Sequence, residues 1–124
     1  MKILLDTSFV LACIKKKIDF INQIDEIFSE KIEFIVPEEV LDELKTISTR
    51  LGEKMVDKSA AEIGVKLLNG MKTIRLGNRN TDDGIVDYLK TEDCILATID
   101  NGLQKRVKRG ILAIKNNKTL DLVA

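Results

Sequence analysis

Short apolar runs alternate with amphipathic segments along most of this chain. The runs lie at residues 2–5, 32–36, 71–76, 94–99 and 111–114, and each has the length of a strand. Between them, apolar residues recur three and four positions apart, which is the spacing of one helix face. Strands separated by helices need crossover connections, so the alternation predicts an α/β fold with a mainly parallel five-stranded sheet covered on both faces.

Amphipathic segments predict the helices. They lie at residues 7–15, 20–28, 38–51, 59–68, 81–90 and 101–109. In the fourth segment, Ile63, Leu67 and Leu68 are expected on the buried face. The polar residues 50–58 are expected to form a hinge before it, and residues 119–123 are compatible with a last short strand.

The composition restricts the chemistry that the chain can perform. Its 124 residues include no His and only two Cys, Cys13 and Cys94. His-based triads, Cys/His dyads and zinc sites built on His or on clustered thiolates are therefore excluded. The two cysteines are far apart and favour buried small side chains in a reducing cytosol. We expect one domain over residues 1–124 and a cytoplasmic protein, since no apolar stretch approaches about 18 residues.

The charges are distributed unevenly. The 20 basic and 20 acidic residues cancel, but residues 1–100 hold 14 basic against 19 acidic residues, whereas residues 101–124 hold 6 against 1. Zero net charge gives no support for nucleic-acid binding. The basic carboxyl-terminal segment beside the acidic remainder of the chain, however, favours nucleic-acid binding.

Acidic residues stand where the predicted strands end. Asp6 follows the first strand, Asp100 follows the fourth, and Asp82 and Asp83 open the helix that leads into the fourth. In such sheets ligands bind outside the carboxyl ends of the strands, where the strand order reverses. If the first and fourth strands are neighbours, these acids converge there. For each acid taken singly, helix capping is the alternative explanation.

Glu43 is the more informative carboxylate, because helix capping does not explain it. It lies three residues after Val40 and four before Ile47, so it is expected to point along the apolar stripe toward the core. A carboxylate in that position must be paired, hydrogen-bonded, protonated or metal-bound. A salt bridge is the simpler alternative. Several carboxylates without His or thiolate suit Mg²⁺ or Mn²⁺, which can activate water for phosphodiester hydrolysis.

Four segments resemble the PIN domain, a small metal-dependent ribonuclease fold. They are LLDTSF at 4–9, VPEEVLDEL at 36–44, TDDGIV at 81–86 and ATIDNGL at 97–103. No single segment is very specific, but the ordered set covers essentially the whole chain. The resemblance implies a three-layer α/β/α sandwich with strand order 3-2-1-4-5.

The resemblance also assigns roles to residues at matching positions. It makes four acids catalytic ligands of Mg²⁺ or Mn²⁺, namely Asp6, Glu43, Asp82 and Asp100. Asp83 matches the second acid of a doubled motif found in some branches and is an additional candidate ligand. Hydroxyls that would orient ligands or waters are those of Thr7, Ser8 and Thr98.

The function implied by the resemblance is metal-dependent endonucleolytic cleavage of RNA. Residues 108–120 and the pair Asp82-Asp83 look more like archaeal relatives of the nuclease that processes small-subunit ribosomal RNA. Toxin ribonucleases of toxin–antitoxin pairs are the alternative, and a catalytically silent module that binds RNA or a partner is another. The implied partners are RNA, a second copy of the chain, and an antitoxin or a ribosome-assembly factor, with no membrane involved.

Basic residues near the acids are the candidates for RNA contact. They are Lys45, Arg50, Arg79, Lys105 and Arg106. Ordinary solvation is the alternative for each of them. The single Tyr and four Phe show no stacking pattern, so recognition of particular bases is not predicted.

Overall fold

The computed structural model describes residues 1–107 and 110–123. Within these ranges, six strands and six helices follow one another. Their bounds are β1 (Lys2–Leu5), α1 (Thr7–Lys15), α2 (Phe20–Ile27), β2 (Glu33–Pro37), α3 (Glu38–Thr49), α4 (Met55–Leu68), β3 (Lys72–Ile74), α5 (Thr81–Thr91), β4 (Ile95–Ala97), α6 (Asn101–Val107), β5 (Ile111–Lys115) and β6 (Thr119–Val123). None of these helices combines the length and the apolar character that crossing a membrane requires.

The strands form one sheet in the order β3-β2-β1-β4-β5-β6. Central strand β1 pairs in parallel with β2 and with β4, so that Leu4 stands in register with Ile35 and Leu96. The predicted order of the first five strands is confirmed. The sheet has a sixth strand rather than five, because the chain turns back at Asn116 and Asn117 and β6 pairs antiparallel with β5. Both asparagines have positive φ, a conformation that Asn tolerates.

Helices cover both faces of the sheet, which confirms the three-layer arrangement. Successive strand residues point to opposite faces, so Ile3 and Leu5 pack with helices α1 to α4, whereas Leu4 packs with α5 and α6. On the first face, the rings of Phe9 and Phe20 are buried and meet edge to face with 5.5 Å between their centroids.

The helix boundaries differ from the prediction in two places. α4 begins at Met55, so residues 55–58 of the predicted hinge belong to the helix. The helix expected over 101–109 is seen as α6 as far as Val107, and Lys108 and Arg109 lie outside the described residues.

The buried face of α4 also differs from the prediction. Leu68 is buried as expected, but Ile63 and Leu67 are 51% and 38% exposed, so their predicted inward orientation is wrong. The helix packs on α1 and α3 through a stripe of small residues, which allows close approach. That stripe consists of Ala60, Ala61 and Gly64.

The fold brings the carboxyl ends of β1 and β4 side by side. The chain passes from β1 through β2 to β3 at one edge and then crosses to β4 on the other side of β1. The strand order therefore reverses between β1 and β4, where open α/β sheets bind their ligands. Asp6 directly follows β1, and Asp100 lies shortly after β4.

Gly84 in α5 packs tightly against Leu76. A Cβ at position 84 would lie 2.9 Å from the Cβ of Leu76, which rotation of the leucine side chain cannot relieve. Ala is usually the better helix former by about 1 kcal/mol. Here the overlap dominates, and we expect Gly84→Ala to lower the free energy of unfolding by about 1–3 kcal/mol in urea titrations.

Gly64→Ala is the matched control, because Gly64 is also a buried glycine within a helix. An added Cβ would lie 3.2 Å from a methyl carbon of Val10 and 3.4 Å from one of Ile14, both at the ends of side chains that can adjust. We expect a smaller loss than at Gly84. An equal or larger loss at Gly64 would contradict the tight packing of α5 on Leu76.

Candidate functional site

The carboxylate of Asp6 lies at the end of the central strand and is only 6% exposed. Its Oδ1 caps α1 by accepting the backbone N–H of Thr7 at 2.9 Å. Its Oδ2 accepts the hydroxyls of Ser8 at 2.8 Å and of Thr98 at 2.7 Å. Asp6 therefore both caps α1 and belongs to the candidate site, although the sequence presents these two roles as alternatives.

Thr98 connects the end of β4 to this carboxylate. Its side chain is fully buried, and its hydroxyl donates to Asp6 while accepting the backbone N–H of Asp100 at 3.1 Å. Asp100 is exposed, precedes α6 and accepts the N–H of Leu103 at 3.0 Å. The Gln104 side chain donates to the Thr98 carbonyl at 2.9 Å, which fixes this corner from the side of α6.

Glu43 joins α3 to the same region through Thr7. The Thr7 hydroxyl donates to Oε2 of Glu43 at 3.1 Å. The side chain of Glu43 is exposed, so the prediction that it points toward the core is wrong. It lies beside the buried stripe formed by Val40 and Leu44 rather than within it, and therefore reaches solvent at the edge of the sheet.

Asp82 and Asp83 lie in the first turn of α5. Asn80 caps this helix by accepting the N–H of Asp83 at 3.0 Å, so Asp82 does not serve as the cap. Asp82 is half-buried. The carboxylate of Asp83 is engaged by Arg106 of α6, with 2.7 Å between Oδ1 and Nη2.

Asp6, Glu43, Asp82 and Asp100 form what we call the acidic cluster. Although the Glu43 side chain reaches solvent, partial desolvation of its carboxyl raises the pKa of Glu43, and the charges of Asp6 and Asp82 raise it further against the effect of the Thr7 hydroxyl. Burial likewise raises the pKa of Asp82, together with the charges of Asp6 and Asp100. Like-charge effects thus connect Glu43 with Asp6 and Asp82, and Asp82 with Asp6 and Asp100.

The acidic cluster is not a preformed metal cage. Within residues 1–107 and 110–123, no three His, Cys, Asp or Glu side chains lie close enough together to hold an ion. Mg²⁺ seldom uses such a cage, since it keeps several waters and binds one or two carboxylates together with substrate phosphates. Oxygen-only donors that repel one another fit a hydrated hard cation of this kind.

The basic residues predicted to contact RNA differ in their present contacts. Arg50 pairs with Glu53 at 2.9 Å, and Arg106 pairs with Asp83. The remaining candidates are exposed, and none has an ion-pair partner within the described ranges. They are Lys45, Arg79 and Lys105.

Some polar contacts around the site were not predicted. Asn80 had a recognisable signal, because Asn directly before an acidic first turn is typical of a helix cap. Gln104 had no such signal in the sequence, since its hydrogen bond to the Thr98 carbonyl depends on how α6 packs against β4. The sequence assigns no role to Glu39, yet its carboxylate accepts backbone N–H groups of Leu76 and Gly77.

Similarity to known proteins extends over nearly the whole chain. Residues 3–116 match the family described as PIN like domain. The chain belongs to this family. Ribonuclease VapC4 of Methanocaldococcus jannaschii is 23% identical over 125 residues, which cover 98% of this chain and 95% of that protein. The solved structure of the PIN domain endonuclease Utp24 has a TM-score of 0.72 and 22% identity, with 99% and 96% of the two chains covered. The latter similarity shows a shared fold.

Replacing Thr98 tests the anchoring of the PIN domain's Asp6. Thr98→Val keeps the shape of the side chain but removes the hydroxyl that donates to Oδ2. Because a hydrogen bond to a charged group contributes about 1.5–3 kcal/mol, we expect the free energy of unfolding to fall by that amount in urea titrations. Thr73→Val, at an exposed position of β3, should change it by less than about 0.5 kcal/mol. Equal effects of the two substitutions would contradict the anchoring role.

The raised pKa values of Glu43 and Asp82 predict a pH-dependent stability. A carboxyl whose pKa is higher in the folded state stabilises the fold fully below its unfolded pKa and loses that contribution as pH rises through the folded pKa. In EDTA, the Tm of Asp82→Asn should therefore gain on that of the wild type as the pH rises above about 4, the ordinary pKa of a free carboxyl.

Asp25→Asn is the control for this pH dependence, because Asp25 is an exposed acid on α2. Its Tm should follow that of the wild type over the same range. A constant difference in Tm between Asp82→Asn and the wild type would contradict the raised pKa of Asp82.

Proposed function

We propose that this chain is a Mg²⁺- or Mn²⁺-dependent endoribonuclease that hydrolyses RNA phosphodiester bonds and acts in ribosomal RNA processing. The observation that carries the proposal is the acidic cluster at the point where the strand order of a PIN-like fold reverses. The names of the two relatives, a ribonuclease and an endonuclease, support a nuclease activity.

The residues proposed to hold the cation are the four acids of the acidic cluster. A bound divalent cation would supply a water of lowered pKa and would stabilise charge on the phosphate. Ser8 and Thr98 fix the orientation of the Asp6 carboxylate, and Thr7 does the same for Glu43. In this proposal Asp83 acts through its ion pair with Arg106 rather than as a ligand.

Exposed basic residues would supply a positive track for the RNA backbone. They include Lys45 on α3, Arg79 before α5 and Lys105 on α6. The turn between β5 and β6 adds the exposed residues Lys115 and Lys118 at the same edge of the sheet, because β5 runs parallel to β4. Such side chains contact phosphates whatever the base sequence, so we propose binding of single-stranded RNA through its backbone.

A toxin ribonuclease with an antitoxin partner is the second candidate function. The similarity to Ribonuclease VapC4 over 98% of the chain favours it, whereas the sequence of residues 108–120 favours processing. The two candidates share one chemistry and differ in substrate. Crosslinks of the protein to RNA in cells that concentrate in ribosomal RNA precursors would support processing. Copurification of a small protein encoded by the neighbouring gene would support the toxin.

Cleavage of labelled single-stranded RNA tests the proposed chemistry. The wild type should cleave with Mg²⁺ or Mn²⁺ and lose all activity in EDTA. Asp82→Asn should reduce the rate by at least about 100-fold, because groups that merely support metal ligands already account for about 10–100-fold. Asp82 is half-buried, so we expect this variant to fold.

Asp87→Asn is the matched control on the same helix, since Asp87 is exposed and pairs with Lys90. It should retain the wild-type rate. Full activity of Asp82→Asn would contradict the assignment of the acidic cluster. RNA binding by the wild type without cleavage in either metal would contradict the nuclease and support a silent binding module.

A further inference from the structure

Glu39 makes contacts that the proposed chemistry does not use. It lies in the first turn of α3, where its Oε1 accepts the N–H of Leu76 at 3.1 Å and its Oε2 accepts the N–H of Gly77 at 2.9 Å. Both donors belong to residues 75–80, between β3 and α5, which we call the β3–α5 loop. Glu39 therefore attaches this loop to α3.

The charge of Glu39 strengthens the attachment. Burial by itself raises the pKa of Glu39, but the N–H groups of Gly77 and Leu76 and the charge of Arg75 outweigh it and hold the pKa below its usual value. Hydrogen bonds to an ionised acceptor are roughly twice as strong as neutral ones. Gly77 has a φ of +74°, and left-handed residues of this kind turn successive N–H groups toward one anion.

The other end of the β3–α5 loop is fixed on α5. The Asn78 side chain accepts the N–H of Asn80 at 3.1 Å, and Asn80 caps α5 through the N–H of Asp83. Leu76 packs against Gly84 so closely that an added Cβ would lie 2.9 Å away. The loop is thus held by α3 at one end and by the first turn of α5 at the other.

The two helices connected in this way carry facing acids of the acidic cluster. Glu43 follows Glu39 by one turn of α3, and Asp82 lies in the first turn of α5. Glu39 holds the loop on α3, and Asn78, Asn80 and the contact of Leu76 with Gly84 hold the same loop on α5. The bonds of Glu39 therefore fix the start of α5 relative to α3.

We propose that Glu39 is a positioning residue, which holds the β3–α5 loop so that Asp82 stays beside Asp6 and Glu43. The inference rests on the proposed function, because its effect on catalysis is measured through metal-dependent cleavage. Glu39 touches no reacting atom, since both of its oxygens accept backbone N–H groups.

Glu39→Gln tests this role. Gln has the same length but only one acceptor oxygen, and its amide group would face one of the two N–H donors. We expect hydrogen exchange at the amides of Leu76 and Gly77 to quicken at least about tenfold through local opening. The Mn²⁺ concentration for half-maximal cleavage should rise about 10–100-fold and kcat should fall.

Two controls separate this role from a general loss of structure. Glu38→Gln removes a charge from the same turn of α3, where Glu38 pairs with Arg75 at the surface, and should change each quantity by less than about twofold. Gly77→Ala is a second test variant, which strains the backbone of the loop because φ at this position is +74°. The added Cβ would clash with nothing, since no atom lies within 4 Å of it. Gly52→Ala introduces the same kind of strain between α3 and α4, at a φ of +87°.

The outcomes are decisive in either direction. Gly77→Ala should reproduce the effects of Glu39→Gln, whereas Gly52→Ala should not. If Glu39→Gln does not fold, the comparison of these two glycine variants tests whether the β3–α5 loop positions Asp82. Faster exchange at Leu76 and Gly77 with an unchanged kcat and metal requirement would overturn the inference, and so would unchanged exchange.

Failure of the proposed function can be distinguished from failure of the inference. If the wild type cleaves no RNA, the proposed function fails and the affinity for Mn²⁺ measured by calorimetry replaces the cleavage assay. Glu39→Gln should then bind Mn²⁺ about 10–100-fold more weakly than the wild type. Equal affinities, or no binding by the wild type, would overturn the inference as well.

Discussion

The hydrogen bonds to the Asp6 carboxylate hold the functional edge of the sheet together. A buried carboxylate is costly unless donors satisfy it. The N–H of Thr7 and the hydroxyls of Ser8 and Thr98 meet that demand. Because these donors come from α1 and from the end of β4, satisfying one side chain also fixes the start of a helix and the register of two strands. The remaining acids are arranged around this fixed point.

The acidic cluster opposes the stability that these bonds provide. Glu43 and Asp82 are brought by α3 and α5 to the same edge as Asp6, where burial and, to a smaller extent, like charges raise their pKa values. Functional sites commonly keep such local conflicts, and the surrounding structure compensates for them. Here the neutral backbone N–H groups bound to Glu39 and the neutral hydroxyl of Thr98 bound to Asp6 provide that compensation. No basic side chain is used, so the net negative charge of the cluster remains available for a cation.

The spacing of apolar residues predicts most of the strands and helices, because this spacing is a local property of the sequence. It does not predict features that depend on packing between distant segments. The burial of α4 through small residues reversed the prediction for Ile63 and Leu67. The exposure of Glu43 depends on its distance from the edge of a buried stripe. The contacts of Glu39 and Gln104 join residues with no local pattern between them. The positions of Asp6, Asp82 and Asp100, by contrast, follow from the sequence, because these residues stand at strand ends or at a helix start, which the sequence shows.

The most direct measurement of the central claim is an amide NMR titration with Mn²⁺, whose unpaired electrons broaden the resonances of nearby nuclei. If the acidic cluster binds the cation, the amides of Asp6, Glu43, Asp82 and Asp100 broaden at lower Mn²⁺ concentrations than that of Glu62, an exposed acid on α4. Broadening that spreads equally over the exposed acids, or that spares the acidic cluster, would contradict the account.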